Sequence, residues 1–191
     1  MKVTLNEHLE MVDQNSQASK NEIDSLCERI RKKFKTCGYE TVYKGYKSRD
    51  VSKRQECQNL IREYVRMIFE TQDFRCTHWL PVKKGELNGV WNRPGAGFCN
   101  WKRTDIIYEI DHVNPVNAGG VDSLDNFQFL SSNANQFVKC SLTYDDLLCR
   151  VDLSKALKNR IKKVLSDRER LFKSDKWKNF LSRLEKANES R

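Results

Sequence analysis

The stretch IYEIDHVNPVNAGG, residues 107–120, constrains this chain more than any other. An apolar, strand-like run stops at Asp111-His112 and gives way to a loop carrying Pro115, Gly119 and Gly120. Residues 106–111 alternate weakly between apolar and polar, and Phe127-Gln128-Phe129-Leu130 alternates more clearly, so both read as short strands. Ser131 or Ser132 can cap a helix that begins near Asn133. Two short antiparallel strands followed by a helix bring the end of the first strand beside the start of the helix.

Elsewhere the dominant period is helical. Residues 21–35 place Ile23, Leu26, Ile30 and Phe34 on one face, and residues 56–70 place Leu60, Ile61, Tyr64, Val65, Ile68 and Phe69 on a broad one. Between them Thr41-Val42-Tyr43 favours a strand, and basic residues interleaved with Tyr39, Tyr43 and Tyr46 suit a nucleic-acid contact surface. Residues 72–105, with Trp79, Trp91 and Trp101 among prolines and glycines, predict an irregular lobe held by aromatics. Thr143, followed by Asp145 and Asp146, starts another helix. From Ser154 to about Ala187 the chain reads as helical, broken near Ser174-Asp175. The expected organisation is α+β: a helical N-terminal region over 1–71, a core over 72–148 and a basic helical region over 149–191.

Charge sharpens this division. The net charge is +9, and it is concentrated. Residues 29–54 hold ten basic and two acidic side chains, and residues 150–191 hold fourteen and six. Residues 112–149 hold one and four. Two basic blocks around a neutral to acidic middle point to a polyanion partner, since clustered Lys and Arg neutralise phosphates. The bland alternative is a pair of solvated helical faces. Seven scattered cysteines, an odd number with no CxxC pair, argue for reduced thiols and against a disulfide framework. No apolar run nears membrane-spanning length and no secretory segment opens the chain, so a soluble, cytoplasmic protein without membrane contact is expected. Cys76, His78 and Cys99, with Cys140 or Cys149 as a fourth, are the leading candidates for a structural zinc. Their spacing is wrong for one, so buried thiols are the expected reading.

The chemistry-bearing residues cluster. His112 precedes Asn126 by 14 residues and Asn135 by 23. Asp111 and Asn135 can offer oxygens to one hard cation with His112 beside it, and a small set of hard ligands suits Mg²⁺. The run DHVNPVNAGGVDSLDNFQFLSSNANQFV resembles the HNH, or His-Me finger, nuclease motif: Asp-His, a Pro and Gly-Gly loop, Asn, two apolar positions around a polar one, and a closing His or Asn in a helix. The likeness covers about one sixth of the chain.

That resemblance implies a small ββα-metal nuclease core flanked by basic α-helical additions. It implies His112 as the general base that activates water, Asp111 and Asn135 as ligands of Mg²⁺ (with Mn²⁺ able to substitute), and Asn126 as the brace of the loop. Each role is chemically apt. A neutral imidazole accepts a proton near neutral pH, a divalent ion offsets charge on the phosphorane and leaving oxygen, and an amide both donates and accepts. Glu109, two residues before Asp111, shares its strand face and is a candidate either for a secondary acid or for the partner of a basic side chain. Many family members bind zinc through two CxxC pairs around this motif. Here Trp79, Ser131 and Ala134 stand where partners would be, so no structural zinc is expected.

The leading expectation is a Mg²⁺-dependent endonuclease of restriction type acting on double-stranded DNA as a homodimer. Arg49, Lys53, Arg54, Lys158, Arg160, Lys162 and Lys163 are the candidate DNA contacts. The alternatives are a low-specificity, homing or structure-selective nuclease, or a non-catalytic nucleic-acid-binding module. The last predicts binding without turnover, and the joint presence of Asp111, His112 and Asn135 argues against it.

Overall fold

The computed structural model describes residues 18, 20–78, 108–135 and 139–189, apart from the Asn133 side chain. The Trp-rich lobe expected over 72–105 lies outside them from Trp79 onward.

Helix α1 (Lys20–Thr36) forms because Ile23, Leu26, Cys27, Ile30 and Phe34 recur at helical spacing and all five are buried. Helix α3 (Val51–Thr71) buries a broader face, including Leu60, Ile61, Tyr64, Val65, Ile68 and Phe69. Its first turn is capped by Asp50, whose carboxylate accepts from the Lys53 N–H. Between them lies helix α2 (Glu40–Gly45), where the local sequence favours a strand. Tertiary contact decides this. Val42 is fully buried, and Tyr39 and Tyr46, three residues before it and four after, pack against the same core. Asn188 then accepts from the Thr41 N–H and donates to the Gly38 carbonyl, which anchors the entry to the turn.

The sheet is a two-stranded antiparallel ribbon, β1 (Tyr108–His112) with β2 (Phe127–Ser131). Tyr108 pairs with Ser131, Ile110 with Phe129 and His112 with Phe127. Ser131 then caps a single helical turn, α4 (Ser132–Ala134), by accepting from the Ala134 N–H. Helix α5 (Tyr144–Cys149) starts with a reciprocal Thr143–Asp146 capping box. Helix α6 (Lys155–Lys173) is capped by Ser154, and α7 (Asp175–Glu189) follows after Ser174.

One aromatic-rich core joins these parts. Phe34 of α1 meets Tyr64 of α3 edge-on at 5.4 Å, and Phe180 of α7 stacks near Tyr64 at 6.2 Å. Phe129 of β2 lies 4.7 Å from Phe69 of α3. The buried Tyr64 hydroxyl donates to the Leu124 carbonyl in the β1–β2 loop (2.7 Å), so the helical core reaches directly into the segment that carries the site. A smaller cluster of Tyr144, Leu147, Leu153, Leu157 and Ile161 seats α5 on α6. The chain is thus mixed helix and sheet, mostly helical. No described helix is long and apolar enough to cross a membrane, and the six described cysteines are free thiols.

Candidate active site

The site begins with the loop between the strands. Directly after β1, the Val113 N–H bonds the Asn126 carbonyl at 2.7 Å. The Asn126 side chain then works in both directions. Its oxygen accepts from the Asn114 N–H (2.8 Å), and its nitrogen donates to the carbonyls of Asn114 (3.0 Å) and Val121 (2.9 Å). The loop turns through a short 3₁₀ segment, Val116–Ala118. Gly119 follows at φ +86°, and a Cβ on Gly120 would lie 1.8 Å from the Asn114 carbonyl oxygen. The two glycines are therefore required for different reasons, one by dihedral and one by space.

Strand alternation sorts the candidate residues onto two faces. Glu109 and Asp111 share one with Gln128 and Leu130. There the buried Gln128 amide donates to Asp111 Oδ2 at 2.9 Å, while its oxygen accepts from the Tyr144 hydroxyl at 2.7 Å. The Lys139 ammonium, itself buried, lies 3.9 Å from Asp111. Asn135 donates through Nδ2 to Glu109 Oε2 at 2.7 Å. Burial raises the Asp111 pKa, and the opposing pull of Lys139 and the Gln128 amide does not cancel it.

These groups can offer hard oxygens to a divalent ion: Asp111 a partly buried carboxylate, Asn135 an amide oxygen, and Glu109 a second acid on the Asp111 strand face. Among the described residues no group of three or more His, Cys, Asp or Glu side chains is arranged to hold a metal. An ion here would keep most of its coordination for water and phosphate.

His112 occupies the other face, opposite Phe127, whose ring centroid lies 5.1 Å away. Its Nε2 is 2.7 Å from Asp122 Oδ1. Lys33 of α1 clamps the same carboxylate, at 3.1 and 3.2 Å from its two oxygens, and sits over the Phe127 ring. Burial opposes the charge on Asp122, but hydrogen bonds from His112, Thr36 and Lys33 outweigh it and hold the pKa at about 2. An ionised carboxylate only accepts, so the shared proton sits on Nε2 and the basic lone pair of the neutral ring is on Nδ1. Asp111 and His112 are adjacent in sequence yet engage separate networks. Asp111 engages Gln128 and Lys139, and His112 engages Asp122 and Lys33, while the Asn135–Glu109 bond stands apart from both.

Neither Asp122 nor Lys33 stands out in the sequence. The available signal for Asp122 was an acid just past Gly-Gly, in a loop that must return to the strand end. Lys33, far away in the chain, carried none.

The remaining candidates are dispersed. Arg49 is exposed ahead of α3, Lys53 lies in its first turn, and the Arg54 guanidinium bonds the Ser48 carbonyl at 3.0 Å. On α6, Lys162 is exposed and Lys158 half-buried. Arg160, expected at DNA, instead faces inward: its guanidinium bonds Asp73 and the Gln72 carbonyl and ties α6 to the end of α3. Lys163 likewise bridges Asp73 and Asp167. An acid at Asp73, held in a turn at positive φ, captures both cations. Of the zinc candidates, Cys76 is buried with its Sγ accepting from the Ser131 N–H at 3.4 Å, and His78 is buried. Cys140 and Cys149 are exposed, and Cys99 lies outside the described residues. No protein-family model, curated protein or solved structure matches the chain.

Proposed function

We propose that this protein is a Mg²⁺-dependent DNA endonuclease of the HNH type, built on a ββα-metal core and acting on double-stranded DNA as a homodimer. The observation that carries this reading is the end of β1. There His112 is held at Nε2 by Asp122, and the adjacent Asp111 carboxylate shares the opposite strand face with Glu109.

In this reaction a water molecule near the His112 ring gives its proton to Nδ1 as its oxygen attacks phosphorus. The bond from phosphorus to the leaving sugar oxygen breaks, and that oxygen takes a proton from solvent. Asn126 keeps the loop closed so that the ring does not drift from the strand end. Asp111 and Asn135 would hold a divalent ion, which would supply charge neutralisation at the phosphoryl oxygens. Exposed cations such as Arg49 and Lys162 supply phosphate contacts, consistent with the net charge of +9. Cutting both strands with one site per chain calls for two copies, and cleavage at fixed sequences makes the enzyme restriction-type.

The test is incubation of supercoiled plasmid and long linear DNA with the protein and Mg²⁺, with EDTA, and with His112→Ala. Discrete fragments are expected with Mg²⁺ alone, and none with EDTA or the variant. A smear points to a low-specificity nuclease. DNA that is retarded on a gel yet stays intact with Mg²⁺ and Mn²⁺ overturns the enzymatic reading in favour of a binding module. Cleavage by His112→Ala at the wild-type rate removes His112 from the mechanism.

A further inference from the structure

We infer that Asp122, clamped by Lys33, is the positioning residue of His112: it fixes the ring's tautomer and orientation and stabilises the imidazolium formed when Nδ1 takes a proton. The inference rests on the endonuclease reading above and extends it to Asp122, in the motif's loop but with no role there so far, and to Lys33, far outside the motif.

Four observations converge. The contact is short, 2.7 Å from His112 Nε2 to Asp122 Oδ1. The carboxylate is restrained, because the Lys33 ammonium reaches both of its oxygens. The imidazole is confined from the side by the Phe127 ring, and Lys33 lies over that same ring at 5.4 Å. The loop that carries Asp122 is pinned two ways nearby: Asn126 bonds the Val121 carbonyl, and Tyr64 bonds the Leu124 carbonyl. The chain Lys33–Asp122–His112 therefore runs from a helix packed on the core to the reacting ring, with each member held by a neighbour.

The chemistry follows from this geometry. A histidine that accepts a proton at one nitrogen must hold its other proton at the second, and a carboxylate at Nε2 enforces that arrangement. As Nδ1 becomes protonated the ring turns cationic, and an anion already in contact stabilises it without reorganisation. Lys33 keeps that anion in place and partly offsets it, so the carboxylate remains an acceptor and does not take the proton itself.

Asp122→Asn is the informative change because it keeps the shape and reverses the polarity. Lys33 attracts the amide oxygen and repels the amide nitrogen, which turns the NH₂ toward His112 Nε2. The imidazole proton then moves to Nδ1, where it blocks the base. A loss of about 10²–10⁴-fold in kcat is expected, the scale seen when a base is forced into the wrong tautomer. KM for DNA and the unfolding midpoint should stay near wild type, and Asp122→Glu should recover part of the rate.

Two-bond ¹⁵N–¹H correlation of the His112 ring reads the tautomer directly, whether or not the protein cuts DNA. Protonated Nε2 is expected in the wild type and protonated Nδ1 in Asp122→Asn. Wild-type protein carrying its proton on Nδ1 overturns the inference even if no variant folds. So does Asp122→Asn cutting at the wild-type rate while His112→Ala is inert. If His112→Ala itself cuts normally, the endonuclease site is misassigned and Asp122 falls with it, an outcome distinct from the other two.

Discussion

His78 lies 1% exposed, its ring meeting Tyr144 edge-on at 6.0 Å, and neither ring nitrogen has a hydrogen-bond partner among the described residues. Burial, reinforced by the nearby Lys139 ammonium, pushes its pKa from 6.5 down to about 3. The unfolded chain therefore takes up this proton first. The stability His78 contributes is complete above about pH 6.5 and is lost progressively as the pH falls toward 3. By about pH 4.5 the loss should reach about 3 kcal/mol, with a factor of two either way. His78→Phe keeps a ring of similar size and removes the titration. Urea unfolding at about pH 7.5 and 4.5 should show the variant losing that much less than the wild type between the two conditions. Equal losses in both proteins refute the assignment. The same residue also explains a limit of sequence reading. A His two places after Cys76 suggested a zinc ligand or a structural residue, and only its surroundings in the fold show how costly a proton there becomes.

Among the elements, the β1–β2 connection is the most demanding. Gly119→Ala places a side chain at φ +86° but meets nothing within 4 Å, so its cost is dihedral, about 1 kcal/mol. Gly120→Ala drives a methyl group into the backbone carbonyls of Asn114 (1.8 Å) and Pro115 (2.9 Å). The loop must open, which weakens the Gly120 N–H to Pro115 bond and the Asn126 bonds to Asn114. A cost of at least about 2 kcal/mol is expected, so Gly120→Ala should have the clearly lower urea midpoint. The reverse order, or equal midpoints, contradicts this loop geometry. This connection was largely legible, because a strand ending in a loop with Pro, Gly-Gly and Asn carries its own local instructions. Thr41-Val42-Tyr43 was not. Its β-branched preference is worth tenths of a kcal/mol, less than the gain from burying Val42 in a helical turn held by Asn188.

At the scale of the whole molecule, α7 belongs to the same core as α1, α3 and the ribbon. Trp177, Phe180 and Leu184 are buried there beside Tyr64. Removing three such side chains forfeits about 5–8 kcal/mol, as much as many domains possess in total. A chain ending at Lys173 should show no cooperative thermal transition by circular dichroism and should bind ANS. A sharp transition within a few degrees of the full chain refutes a shared core. The amphipathic periods of α1, α3 and α6, helix starts near Ser131 or Ser132, Thr143 and Ser154, and the ribbon with its glycine loop were determined by the sequence alone, because each depends on residues within about one helical turn or one hairpin. Tertiary structure alone decided that α2 is a helix, that Arg160 and Lys163 turn toward Asp73, and that Lys33 and Asp122 meet at His112. Those outcomes depend on groups far apart in the chain, whose charges and apolar faces interact only after the core has closed.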